Sequence, residues 1–110
     1  MNLREIDCLI LENVFGYKVG NNPFSDEVPK SAVPNYTTDL SKAWQAAEEV
    51  GYEQVQIKDM GKFGKRVYIE GKRNWPKKDS NAVIAYAETV PVALCLAVLK
   101  AHGIELEGEE

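Results

Sequence analysis

Basic and aromatic side chains are interleaved in one segment of the chain, from Lys58 to Lys78. This segment holds eight lysines and arginines against two acidic residues, whereas the whole chain has a net charge of −4. Arginine binds phosphate through paired N–H groups, and aromatic rings beside cations stack on nucleobases. The segment therefore favours a site for a small anion. The alternative, which is commoner for such charged runs, is a solvated hairpin edge.

The expected anion site has a charged part and an aromatic part. The predicted charged residues are Arg66, Arg73 and Lys65, and the predicted stacking residues are Trp75, Tyr36 and Tyr68. For Trp75, the alternative is that the ring folds back over the edge of the sheet. The long connection between Gly20 and Thr38 is expected to help close the site, because long ordered loops often carry binding residues.

No motif in the chain is typical of a catalytic or metal centre. His102 is the single histidine. It lies beside Gly103 and has no obvious Asp or Cys partner, so we interpret it as a helix-end residue. The sequence from Gly61 to Lys65 resembles part of a P-loop, but it lies between two expected strands rather than before a helix. We therefore expect no enzyme activity, no cofactor and no metal ion.

The cysteines and the first residues of the chain indicate in which cellular compartment the protein is expected. Cys8 and Cys95 fall on expected helices among apolar neighbours, where free buried thiols are the usual state, although a disulfide between them stays open. Reduced thiols fit a cytoplasmic protein. The chain starts Met-Asn-Leu-Arg-Glu, which is unlike a signal peptide, and no apolar stretch is long enough to span a membrane.

Hydrophobic periodicity predicts one α+β domain over residues 1–110, with the element order α-(β)-α-β-β-β-α. Helices are expected over residues 2–15, from Thr38 or Asp39 to Gly51, and from Thr89 to Gly103. About three strands are expected over residues 54–58, 66–70 and 81–87, with a possible short edge strand at 17–19. The acidic tail, residues 104–110, is expected to be frayed.

Two of these elements carry sharper expectations. The strands around the Met60–Gly64 turn alternate apolar and polar residues, which predicts an antiparallel hairpin. Its expected helix-facing residues are Val55, Ile57, Val67 and Ile69, and its expected outward residues are Gln54, Gln56, Arg66 and Tyr68. The last helix has no polar face, which predicts either a central packing position or a helix–helix contact between chains. From this we predict a homo-oligomer.

Three blocks of the sequence resemble a known family. They are Ile6–Val14 followed by Phe15-Gly16-Tyr17-Lys18-Val19, then Pro34-Asn35-Tyr36-Thr37-Thr38 with Ala43-Trp44-Gln45, and finally Ala87–Ala97. In order and content they resemble the phage ABA sandwich domain family. The resemblance implies a layered domain of helices and sheet, encoded by a phage or prophage of a Gram-positive bacterium. It carries over no catalytic residues.

Three functions are compatible with these observations. The first is a non-enzymatic phage protein that binds and sequesters a small nucleotide-derived signal, as other small oligomeric phage proteins do, in defence against host immunity. The second is a protein-interaction module that binds a host or phage protein. A weaker third alternative is nucleic-acid binding through the basic hairpin, which the strongly acidic remainder of the chain opposes.

Overall fold

The protein is described here by a computed structural model that covers residues 2–22, 24–72 and 81–104. Its helices are α1 (Leu3–Asn13), α2 (Leu40–Val50) and α3 (Val90–Ala101), and its strands are β1 (Tyr52–Asp59), β2 (Lys65–Gly71) and β3 (Ala82–Ala87). The strands form one antiparallel sheet in the order β1-β2-β3. The predicted α+β class is confirmed.

Each helix begins at a polar residue that satisfies a backbone N–H of the first turn. The Asn2 side chain accepts a hydrogen bond from the Glu5 N–H at 2.9 Å. The Asp39 carboxylate accepts one from the Ser41 N–H, also at 2.9 Å. Thr89 caps α3, and Pro91 lies in its first turn. The helix starts expected from the sequence are therefore confirmed, with Asp39 rather than Thr38 as the cap of α2.

Two segments at the periphery differ from the structure expected for them, namely the possible edge strand at residues 17–19 and the start of the acidic tail. Val19 forms an isolated parallel bridge with Val28 and does not join the sheet, so residues 17–19 pair with the long connection instead of forming the possible edge strand of the sheet. Ile104, the first residue of the expected frayed tail, packs against the core. The rest of that tail, residues 105–110, lies outside the described residues.

The apolar helix α3 occupies the centre of the molecule. Its residues from Ala93 to Leu99 are at most 4% exposed, because α3 contacts α1, α2, β2 and β3. Of the two positions that its sequence allowed, the central one is observed. The apolar surface of α3, from which we inferred an oligomer, is therefore covered by the other elements of the same chain. The homo-oligomer stays a prediction, but the apolar character of α3 no longer supports it.

The hairpin is antiparallel as predicted, but the helices cover only part of it. Val55 lies opposite Ile69, and Ile57 lies opposite Val67. Val67 and Ile69 are fully buried, whereas Ile57 is 44% exposed. The expectation that all four would be covered is wrong for Ile57, because α3 packs on β2 and β3 and leaves β1 beyond its edge.

Tyr36 is buried in the core with its ring stacked on Phe15, at 5.7 Å between centroids. Burial, helped by the negative charge of Asp7, raises the pKa of Tyr36 to about 12. Between pH 10 and 12 the unfolded chain loses the phenolic proton and the folded chain keeps it. The free energy of unfolding should therefore fall as pH rises through this window.

We expect Tyr36→Phe to flatten this decline, measured by urea denaturation at several pH values between 9 and 12. Burial also raises the pKa of the Cys95 thiol, so part of the decline should remain in the variant. Tyr17→Phe, which removes a phenol that is 55% exposed, is the matched control. The expectation would be refuted if the free energy of unfolding declined equally with pH in Tyr36→Phe and in the parent protein.

Candidate functional site

The outer sheet face is the face that points away from α3. Because Val67 and Ile69 of β2 point into the core, the residues that alternate with them point the opposite way. Strand pairing places the neighbours from β1 and β3 beside them. The outer sheet face consists of Gln54, Gln56, Lys58, Arg66, Tyr68, Glu70, Ala82, Ile84 and Tyr86. None of these nine residues is buried.

Arg66 lies in the middle of one cross-strand row on this face. Lys58 is its partner on β1, and Tyr86 is its partner on β3. Directly opposed side chains in a sheet have Cβ atoms about 5 Å apart, so Arg66 has a lysine as its neighbour on one strand and a tyrosine as its neighbour on the other. Tyr86 is 40% exposed. Within the described ranges, neither Lys58 nor Arg66 forms an ion pair.

Tyr68 lies in the next row, between Gln56 and Ile84. Its hydroxyl donates a hydrogen bond to Glu70 Oε2 at 2.8 Å. This bond is the main cause that raises the pKa of Tyr68. The outer sheet face is therefore polarised along the strands, with Lys58 and Arg66 near the hairpin turn and Glu70 at the far end.

Lys65 belongs to the turn rather than to the outer sheet face. It alternates with Arg66, and its Nζ forms an ion pair with Asp59 Oδ2 at 2.8 Å. The other oxygen of Asp59 accepts the Gly61 N–H at 2.9 Å. The bond from Lys65, followed by that from Gly61, holds the pKa of the Asp59 carboxyl below its usual value. Lys65 thus stabilises the turn instead of standing beside Arg66.

The remaining predicted site residues are placed elsewhere. Tyr36 is buried at 4% exposure beside Phe15, and with Leu11, Tyr17 and Pro34 it lines a shallow cavity next to α1. Arg73 and Trp75 lie outside the described residues. Of the six predicted residues, the structure brings Arg66 and Tyr68 together on one face and places Lys65 and Tyr36 away from it.

The long connection from Gly20 to Thr38 is fastened to α1 through Arg4. One guanidinium nitrogen, Nη1, donates to Asp7 Oδ2 at 3.0 Å and to Asn35 Oδ1 at 2.8 Å. The other, Nη2, donates to the carbonyl oxygens of Lys30 at 2.6 Å and Val33 at 3.1 Å. These contacts hold the connection against α1, whereas the sequence predicted that it would close a site with Arg66.

Asp7 anchors the same connection from beneath. It is 1% exposed, and its Oδ1 accepts the Thr37 N–H at 2.8 Å. Because Oδ2 meets Arg4, both carboxylate oxygens are engaged. Sequence reasoning missed Asp7, although a signal existed, since it stands among Ile6, Ile10 and Leu11 on the apolar face of α1. A charged residue on a buried helix face needs partners.

Sequence reasoning also missed Lys58 and Tyr86. Strand alternation could have found both, because the pattern that places Arg66 outward also orders its cross-strand neighbours. The register between the strands was the missing information. Between β1 and β2 the register is set by the Met60–Gly64 turn.

The described parts of the chain contain no group of three or more His, Cys, Asp or Glu residues placed to hold a metal ion. Cys8 and Cys95 are free thiols. His102 is the C-cap residue of α3, and burial lowers its pKa. None of the described helices has the length and apolar character needed to cross a membrane.

Comparison with solved structures finds proteins that share this fold. A phage protein from Bacillus cereus ATCC 14579, known from a 2.0 Å crystal structure, has a similar fold with a TM-score of 0.74. The two sequences are 28% identical, and the match covers 97% of this chain and 93% of that one. No protein-family model and no curated protein matches the chain. The similarity supports the resemblance to phage proteins of Gram-positive bacteria, but membership of the phage ABA sandwich family is not confirmed.

Proposed function

We propose that this chain is a phage-encoded accessory protein that binds a small nucleotide-derived anion on its outer sheet face and sequesters it without turnover. The observation that carries the proposal is the position of Arg66 between Lys58 and Tyr86, with Tyr68 alongside. Phage origin rests on the similarity to the Bacillus cereus phage protein.

The row across the three strands provides different contacts at its two ends. Neighbouring strands are about 4.8 Å apart, so the row from Lys58 to Tyr86 spans about 10 Å. A phosphate group would accept hydrogen bonds from Arg66 and Lys58, and a base would stack on the exposed ring of Tyr86. Glu70 at the far end of the face would repel a second phosphate there, so the ligand's charge lies towards the hairpin turn.

A homo-oligomer would complete such a site. The outer sheet face provides one wall, whereas small-molecule sites generally enclose most of their ligand. A second chain facing Tyr86 and Arg66 would supply the other wall and exclude water from the ionic contacts. The prediction of an oligomer now rests on this argument rather than on the apolar character of α3.

A protein-interaction module is the second candidate function. The observation that favours it is the exposure of two large aromatic residues, Phe24 at 96% and Phe63 at 70%. Buried aromatic anchors dominate the energetics of many protein interfaces. Nucleic-acid binding through the basic hairpin is weaker, because the Lys65–Asp59 pair already uses one of the hairpin cations.

The test is to denature the purified protein, identify any released small molecule by mass, and titrate that compound back by calorimetry. If none is released, a nucleoside monophosphate and a nucleoside diphosphate are the probes. Arg66→Ala should weaken binding by about 1.5–3 kcal/mol, because a hydrogen bond to a charged group is lost.

Lys65→Ala is the matched control for this test. It removes a neighbouring cation that is paired with Asp59 away from the outer sheet face, so binding should change little. Equal affinities for Arg66→Ala and the parent protein would contradict the proposal. Absence of binding by any nucleotide, together with a stably co-purifying protein, would favour the interaction module.

A further inference from the structure

Strand β1 forms one edge of the sheet, and its outer backbone groups are unpaired within the described parts of the chain. On β2, the Gly71 N–H donates to a carbonyl oxygen on the β3 side at 2.8 Å. Because the direction of the backbone groups alternates along a strand, Tyr68 bonds to the β1 side, where its partner is Gln56. Val55 and Ile57, the neighbours of Gln56, therefore direct their N–H and C=O groups away from the sheet. We call these groups the free edge of β1.

We propose that the free edge of β1 pairs with the same edge of a second copy of this chain, antiparallel and about a two-fold axis at Gln56. Val55 of one copy then lies opposite Ile57 of the other, and each such pair exchanges two backbone hydrogen bonds. The pairing extends over residues 54–58, between the bulge that precedes Gln54 and the hairpin turn. It leaves the outer sheet face open, so it does not rest on the anion site.

The two edges of the sheet differ in their protection against further pairing. Natural edge strands are blunted by charged side chains, by proline or by a covering element. On β3, Lys100 Nζ donates to the outward carbonyl oxygen of Ile84 at 2.9 Å. No hydrogen bond from the described residues reaches the outward backbone groups of Val55 or Ile57, and residues 54–58 include neither proline nor an acidic residue. The open edge for an added strand is therefore that of β1.

The side chain of Ile57 provides an apolar contact for this pairing. It is 44% exposed, because α3 packs on β2 and β3 and leaves β1 uncovered. In the paired edge it lies beside Val55 of the second copy, since directly opposed side chains have Cβ atoms about 5 Å apart. The two-fold axis repeats the contact, so both copies bury their exposed isoleucine. Burial of apolar surface thus adds to the backbone hydrogen bonds.

The charges on the outer sheet face match those of a second copy in this register. Lys58 of one copy lies opposite Gln54 of the other, and Gln54 is paired with Glu70 within its own chain. A row across the joined sheet therefore runs from Arg66 and Lys58 of one copy to Gln54 and Glu70 of the other. The cationic end of each outer sheet face is aligned with the acidic end of its neighbour. This complementarity favours a second copy as the occupant of the edge.

Sedimentation equilibrium without nucleotide tests the pairing, and at sub-millimolar concentration the protein should form a reversible dimer. Ile57→Lys places a cation in the apolar contact on both sides of the axis, so the dissociation constant should rise at least about tenfold. Leu40→Lys is the matched control, because it makes the same change at an apolar residue of similar exposure, 42%, on α2. It should leave the dissociation constant unchanged.

Cross-linking tests the register and stays informative if Ile57→Lys does not fold. In a Cys8→Ser background, Gln56→Cys places two thiols across the two-fold axis at about 4.5 Å between Cα atoms, which a disulfide can bridge. Mild oxidation should therefore give a covalent dimer. Gln54→Cys in the same background should not, because its opposite residue is Lys58. Three results would overturn the proposal: a monomer at every concentration, undiminished dimerisation in Ile57→Lys, or equal cross-linking of Gln54→Cys and Gln56→Cys.

Discussion

Replacing Asp7 by alanine should lower the free energy of unfolding by about 3 kcal/mol, because it leaves the buried Thr37 N–H without an acceptor and removes one acceptor of the Arg4 guanidinium. The Thr37 N–H loses its partner within the core, and Arg4 loses its contact at 3.0 Å. The connection that Arg4 fastens to α1 should loosen as well. Urea denaturation measures the first effect, and the rate of limited proteolysis between residues 24 and 36 measures the second.

Glu12→Ala is the control for Asp7→Ala, because Glu12 is an exposed carboxylate on the same helix. Surface changes of this kind usually alter stability by less than about 0.5 kcal/mol. Asp7→Asn should fall between the two, since an amide oxygen can still accept the Thr37 N–H. A loss in Asp7→Ala no larger than that in Glu12→Ala would show that the carboxylate does not hold the connection.

Gly64→Ala should also cost about 3 kcal/mol of stability. Gly64 has φ +89° and ψ −150°, a region that only glycine adopts readily, and a side chain there costs about 1–3 kcal/mol. A Cβ at this position would also lie 2.5 Å from the backbone oxygen of Ala87. Since that oxygen belongs to β3, the neighbour cannot move aside without disturbing the sheet.

Gly61→Ala is a control in the same turn, at a glycine with positive φ but without a close contact. Gly61 has φ +63°, but a Cβ there would meet nothing within 4 Å. Its cost should be about 1 kcal/mol, that of the left-handed backbone alone. Thermal or urea unfolding of both variants measures the difference. If the two variants were equally stable, close packing of Gly64 against Ala87 would have no energetic role.

Local signals explain why much of the fold could be predicted. The caps Asn2, Asp39 and Thr89 act within one helical turn, and the alternation in β1 and β2 acts within one strand. Whether a residue is buried, by contrast, depends on elements that are distant from it in the sequence. The exposure of Ile57 depends on which strands α3 covers, and the burial of α3 depends on its contacts with four other elements. Neither can be read from a periodic pattern.

The same distinction separates the correct and incorrect parts of the predicted site. Arg66 and Tyr68 share a strand face, so alternation placed them together. Lys65 was included for its charge, although alternation places it on the opposite face with Val67. Tyr36 was included because an aromatic residue in a loop can serve a ligand. Its burial depends on stacking with Phe15 and on the contact of its loop with Arg4 and Asp7.

The position of α3 in the chain determines when the protein can fold during synthesis. α3 follows α1, α2, β2 and β3, yet it contacts all four of them. A ribosome-bound chain that has exposed the sheet and the first two helices therefore still lacks the surface on which they pack. Such late, long-range closure slows folding and leaves apolar segments open to aggregation. Nascent chains that end before Val90 should accordingly be recognised by chaperones, and compaction should follow release of α3 from the exit tunnel.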